Sequence, residues 1–139
     1  MMAYPPNLAR ELELLAGPAV AAVYLFGSHA RGTAHTESDL DLGVLFDRAR
    51  LPGAASRRDE AERLRSAAME ALRLNRVDVV VLNDAPPELA KTVVHQGTRL
   101  LCRAPALDHA FQRDAQLRYA DLRPFLERTR RLKLQALRG

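Results

Sequence analysis

The chain has 139 residues, a net charge of +4, 47% hydrophobic residues and 27% charged residues. This is a globular balance at a length that suggests one domain, with enough chain to bury a core without disulfide or metal staples. No apolar run reaches the roughly 18 residues a membrane span needs, so none is expected. The opening "MMAYPPNLAR" has no basic stretch leading into an apolar one, so no secretion signal is expected and the cytoplasm fits.

Residues 7–15, "NLARELELL", read as a short helix with Asn7 as N-cap and Leu8, Leu12 and Leu15 on one face. Gly17-Pro18 stops it. Residues 20–26 and 39–46 read as buried strands, and "LPGA" as a turn. The helix over 56–74 takes Ser56 as N-cap and turns Ala61, Leu64, Ala68, Ala71 and Leu72 inward. Residues 77–82, "VDVVVL", form a third strand rich in β-branched residues. Pro87 suits the first turn of a helix running to Gln96, with Gly97 just past its end. "RLLC" reads as a fourth short strand, in which Cys102, the one cysteine, is a buried core thiol. From 106 to 138 an apolar stripe of Leu107, Phe111, Ala115, Leu122, Phe125, Leu126 and Leu132 predicts helix. Pro124 should break it into two near Asp121. The expected fold class is α/β (α+β). A small mixed sheet is flanked by helices, with a core over about 7–103 and a helical tail over about 106–138 of a single 1–139 domain.

The informative stretch is "LFGSHARGTAHTESDLDLGVLF". Side chains alternate along a strand, so Asp39 and Asp41 share a face while Leu40 and Leu42 point into the core. Two bare carboxylates this close repel, and a divalent cation removes that penalty. Oxygen ligands suit Mg²⁺ or Mn²⁺, with phosphates and waters completing the shell. Gly27 lets backbone approach a ligand, and Ser28 adds a hydroxyl and an N–H. The turn "SHARG" offers further N–H groups to phosphate oxygens. Asp78, on another apolar strand, either pairs with Arg76 as a strand-start acid or completes a three-carboxylate cage for two metals. Such a cage serves in-line attack by a hydroxyl on phosphorus. Each piece alone is weak; the combination is specific.

Arg31 is a surface arginine or reaches the triphosphate. His29 and His35 have no role in a carboxylate scheme. Tyr24 packs in the core. Basic charge, 19 of 21 residues being arginine, reflects either coding bias or phosphate affinity. Arg128, Arg130 and Arg131 form a solvated helical face or meet an acidic or RNA-bearing partner.

With "FGS" at 26–28, "SDLDL" at 38–42 and Asp78 as third acid, the sequence resembles the DNA polymerase β-like nucleotidyltransferases. Its form is most similar to the minimal nucleotidyltransferases, the MntA antitoxin family. "VDVVVLNDAPPELAKTVVHQGTRLL" extends the likeness, which covers about residues 20–102. The resemblance implies a nucleotidyltransferase fold and transfer of AMP from ATP to a tyrosine of a HEPN-domain RNase toxin, with which the chain assembles. It places Gly27 and Ser28 on the ATP phosphates. Asp39 and Asp41 bind both metals, and Asp78 binds the catalytic metal and helps activate the acceptor hydroxyl. Direct nucleic-acid binding is not expected. Two alternatives remain: an antitoxin acting by stoichiometric contact without chemistry, and a small-molecule transferase of the aminoglycoside type. The latter usually carries an extra acceptor domain, which this short tail does not resemble.

Overall fold

The computed structural model describes residues 5–27 and 40–138. In chain order it has α1 (Leu8–Leu15), β1 (Val20–Phe26), β2 (Leu40–Phe46), α2 (Ala54–Leu72) and β3 (Val77–Val81). A 3₁₀ turn (Leu82–Asp84), α3 (Pro87–Gln96), β4 (Thr98–Cys102) and α4 (Pro105–Arg138) follow. Four strands form one mixed sheet in the order β3-β2-β1-β4. β1 runs antiparallel to β2 and β4, and β2 runs parallel to β3.

Strand alternation sorts the sheet into two layers. Val23 and Leu25 of β1, Leu40, Leu42 and Val44 of β2, and Val77 of β3 join Leu8 and Leu12 of α1 and Ala61 and Leu64 of α2 in one core. Ala22, Tyr24 and Leu45 face the other way, against Leu82 and Val93, with Leu107 and Phe111 of α4 packed beside them. Gly43 of β2 belongs to this second face. A Cβ there would lie 2.8 Å from Val93 Cγ1 and 3.2 Å from Leu82 Cδ2, so its bare backbone lets α3 come down on the sheet. Gly97 works similarly after α3, where a Cβ would strike Val93 O and come within 2.8 Å of Leu25 O.

The four strands and α1 and α3 fall where the sequence pattern put them, and Pro87 opens α3 as expected. Other details differ. Asn7 holds the N-cap position of α1 without a side-chain cap bond. α2 begins two residues before Ser56, because the Arg57 amide already donates to Gly53 O at 3.1 Å. It ends at Leu72, where Arg73 turns left-handed (φ 55°) and the Leu74 amide donates to Met69 O. Ala71 is exposed. Cys102 is only partly buried, since β4 is an edge strand. Pro124 does not split the tail, and α4 is one helix of 34 residues with that proline inside it. Proline removes one N–H bond to the Ala120 carbonyl. Both residues are exposed, so water can satisfy that oxygen, and good helix formers flank the site. The apolar stripe of α4 is buried only in its first half. Ala115 is 3% exposed, whereas Phe125 is 58% and Leu132 59% exposed. No helix among the described residues is long and apolar enough to cross a membrane.

Candidate active site

Asp41 and Asp78 open two neighbouring parallel strands and are direct partners in the ladder. Their Cα atoms are therefore about 4.8 Å apart across the sheet, and both side chains share a face. It is the face of Gly43 and α3, away from the core that takes Leu40, Leu42 and Val77. Both residues are part-exposed, so the pair stands at an open end of the sheet. Gly27 follows the last residue of β1, and Phe26 pairs with Asp41. Its φ is +76°, a left-handed backbone that glycine adopts without penalty. A Cβ at Gly27 would sit 2.7 Å from Asp41 Oδ2. Absence of a side chain at 27 is thus what lets this carboxylate lie against the strand-end turn.

Cations surround the second acid. Arg76 Nε is 3.6 Å from Asp78 Oδ1, the ion pair that the bland reading of Asp78 anticipated. Arg65, on α2, is held more firmly protonated, first by its bonds to Glu62 and additionally by the field of Asp78. The pairing with Arg76 and a metal-binding role are compatible, because Asp78 keeps a side-chain exposure of 45%. Carboxylate oxygens on adjacent strands, open to solvent on one side, are hard donors that fit Mg²⁺ or Mn²⁺ and not a soft metal. Of the expected site residues, Gly27, Asp41 and Asp78 are brought together. Asp39, Ser28 and Arg31, with His29 and His35, lie outside the described residues. Among the described residues no group of three or more potential metal ligands gathers, as the third acid of the expected set is Asp39.

A second polar cluster went unread in the sequence. Tyr24 of β1 donates from its hydroxyl to both oxygens of Asp108, at 2.8 and 3.0 Å. Arg99 of β4 donates to Asp108 Oδ2 at 3.0 Å, and Gln112 to the Tyr24 oxygen at 2.7 Å. Asp108 is completely buried. Burial first, and the Asp108 bond second, push the Tyr24 hydroxyl up to about 12. The signal was an acid and an amide, Asp108 and Gln112, inside the apolar stripe of Leu107, Phe111 and Ala115. Tyr24 is therefore a core residue, as expected, and it ties α4 to the strand that leads into Gly27.

The comparisons with known proteins place this mixed sheet in one family. Residues 13–106 match the family model "Polymerase beta, Nucleotidyltransferase", and this chain belongs to that family. A curated relative is the protein adenylyltransferase MntA of Shewanella oneidensis, 38% identical over 84 residues. The match takes in 60% of this chain and spans 55% of that relative's length. Among solved structures, a toxin–antitoxin complex with AMP-PNP is 26% identical with a TM-score of 0.62, covering 94% of this chain and 98% of that one. A mutant form of the toxin–antitoxin complex MntA–HpeT is likewise 26% identical, with a TM-score of 0.61 and coverage of 96% and 98%.

Proposed function

We propose that this chain is an antitoxin that works as a protein adenylyltransferase. It moves AMP from ATP to a tyrosine hydroxyl of a partner HEPN RNase toxin and thereby silences it. The acceptor oxygen attacks the α-phosphorus, the new P–O bond forms, the bond to the bridging oxygen of the leaving diphosphate breaks, and pyrophosphate departs. Asp41 and Asp78, with Asp39, hold two Mg²⁺ ions, which supply charge neutralisation at the phosphates. Asp78 orients the acceptor hydroxyl and helps draw off its proton. Gly27 and Ser28 receive phosphate oxygens on backbone and hydroxyl donors, and Arg31 reaches the triphosphate. Its site of action is the cytoplasm, and it is one domain.

The observation that carries this reading is the direct pairing of Asp41 with Asp78 beside a left-handed Gly27. Acids placed for solvation alone need neither that register nor that glycine. Kinship with an adenylyltransferase named for protein substrates, and likeness to a complex holding an ATP analogue, support the donor and the acceptor class. The test is incubation of the purified chain with Mg²⁺, ATP and the HEPN toxin proposed as its partner, followed by mass spectrometry. One or more AMP units should appear on a toxin tyrosine. A toxin that is neutralised yet unmodified would mean protection by contact alone. Transfer to a free aminoglycoside and none to protein would mean a small-molecule enzyme.

A further inference from the structure

The first half of α4 packs on the body of the protein, and beyond Thr129 the helix leaves it. At 34 residues α4 is about 50 Å long. From residue 130 to 137 every side chain is exposed. Yet Leu122, Phe125, Thr129 and Leu132 recur at alternating spacings of three and four, the repeat that makes a seam for another helix. Leu122 is 38% exposed, and Phe125 and Leu132 more so. A solvated helix has no use for phenylalanine and leucine in register on one stripe.

Charge says what covers the seam. Residues 117–137 hold six basic residues (Arg118, Arg123, Arg128, Arg130, Arg131, Lys133) and two acids (Asp121, Glu127), a net +4. The whole chain is +4, so residues 1–116 and 138–139 together are neutral. Asp114 pairs with Arg118 and Glu127 with Arg123. Among the described residues Arg128, Arg130, Arg131 and Lys133 have no acid partner, and no Asp or Glu follows Glu127 in the sequence. At about 100° per residue, Arg128 and Lys133 flank the seam on opposite sides, while Arg130 and Arg131 lie on the outer face. A favourable helix dipole reaches only the last turn and does not explain them. A second copy would bring two such helices together with like charges facing, which costs energy on every pair.

We infer that the distal half of α4 is a docking helix for an acidic, apolar-striped surface of the protein that carries the acceptor hydroxyl. This rests on the protein-acceptor reading above. The seam gives the buried centre of the contact, Arg128 and Lys133 give its rim, and the whole basic cluster steers encounter.

The test is titration of this chain with the purified HEPN toxin proposed as its partner, without ATP, so that binding is read apart from transfer. Phe125→Asp with Leu132→Asp should weaken association at least a hundredfold. Arg128→Glu with Lys133→Glu, at exposed positions beside the seam where folding is not at risk, should weaken it at least tenfold and flatten its dependence on salt. Both variants should bind Mg²⁺–ATP like the parent. Parent-like toxin binding by the two variants overturns the inference. So does a dimer of the parent in sedimentation that both variants lose, which makes the occupant a second copy. RNA binding lost in the charge-reversed variant, with toxin binding intact, overturns it as well. Docking through α4 with no AMP transfer would leave the inference standing and defeat the enzymatic reading instead.

Discussion

Two residues show how closely the site depends on single atoms. Asp41→Asn keeps the size of the side chain but removes one charged ligand at the strand pair. If Asp41 holds metal, transfer should fall about a thousandfold, the scale of several kcal/mol at the transition state. Folding should be unharmed or slightly improved, because a like-charge neighbour of Asp78 has gone. An active Asp41→Asn enzyme, assayed by AMP incorporation, would reduce this acid to surface decoration. Gly27→Ala should damage both folding and chemistry. The left-handed backbone costs an alanine about 1–2 kcal/mol. Its methyl, 2.7 Å from Asp41 Oδ2, must also displace the carboxylate. We expect a fall in melting temperature and at least a tenfold loss of transfer. Gly53→Ala is the control. Its φ is −98° and its nearest neighbour would be Ser56 Oγ at 3.9 Å, so no clash arises and only alanine's weaker N-cap preference, about 0.5–1 kcal/mol, is lost, with transfer unchanged.

Elements are joined here by buried polar groups as much as by apolar contact. Arg57, 5% exposed, clamps α2 to the 3₁₀ turn through two bonds to Asp84, at 2.8 and 3.0 Å, and a third to Leu51 O. Tyr24, Asp108, Arg99 and Gln112 do the same for α4, β1 and β4. That second cluster makes stability fall in alkali. The Tyr24 hydroxyl ionises near 10 in the unfolded chain and at about 12 in the folded one. Below pH 10 both states keep the proton and the stabilisation is complete. Between about 10 and 12 only the unfolded state releases it, so up to about 3 kcal/mol is lost as pH rises, at about 1.4 kcal/mol per pH unit. Tyr24→Phe should be about 1–3 kcal/mol less stable than the parent at pH 8, because Asp108 loses a buried donor. That gap should close by pH 12. Denaturant melts of both proteins across the range check it, and a constant gap would place the tyrosine's ionisation elsewhere. Asp108 and Gln112 stood out in an apolar stripe, but their partner was not legible beforehand. Tyr24 read as core from its apolar neighbours, which was right, but a hydroxyl's partner 84 positions away leaves no local pattern. Pro124 misled for the opposite reason. The local rule is sound, and an exposed carbonyl and strong helix formers on both sides overrode it.

For the molecule as a whole, the two faces of β2 were legible because strand period and residue chemistry both act locally. "DLD" on an apolar strand fixes which side chains meet the core, and "FGS" fixes where the chain turns. That Asp41 would stand directly beside Asp78 was not legible, since register between parallel strands joined through α2 is set by packing. This register makes binding and stability one problem. Metal and nucleotide would bridge the starts of β2 and β3 and the end of β1, three strands that unfolding separates. Ligands that bind only the folded state stabilise it by RT ln(1 + [L]/Kd), about 2.7 kcal/mol at a hundredfold excess over Kd. Mg²⁺ with a non-hydrolysable ATP analogue should therefore raise the melting temperature by several degrees, on the scale of about 3 °C per kcal/mol for a chain of this size. The analogue with excess chelator should give little of that shift, because its phosphates would face the Asp41–Asp78 pair with no cation between them. Asp41→Asn should respond weakly even with Mg²⁺. An equal shift with and without the cation would mean that the nucleotide binds away from the acids, and the metal-bridged site would have to be given up.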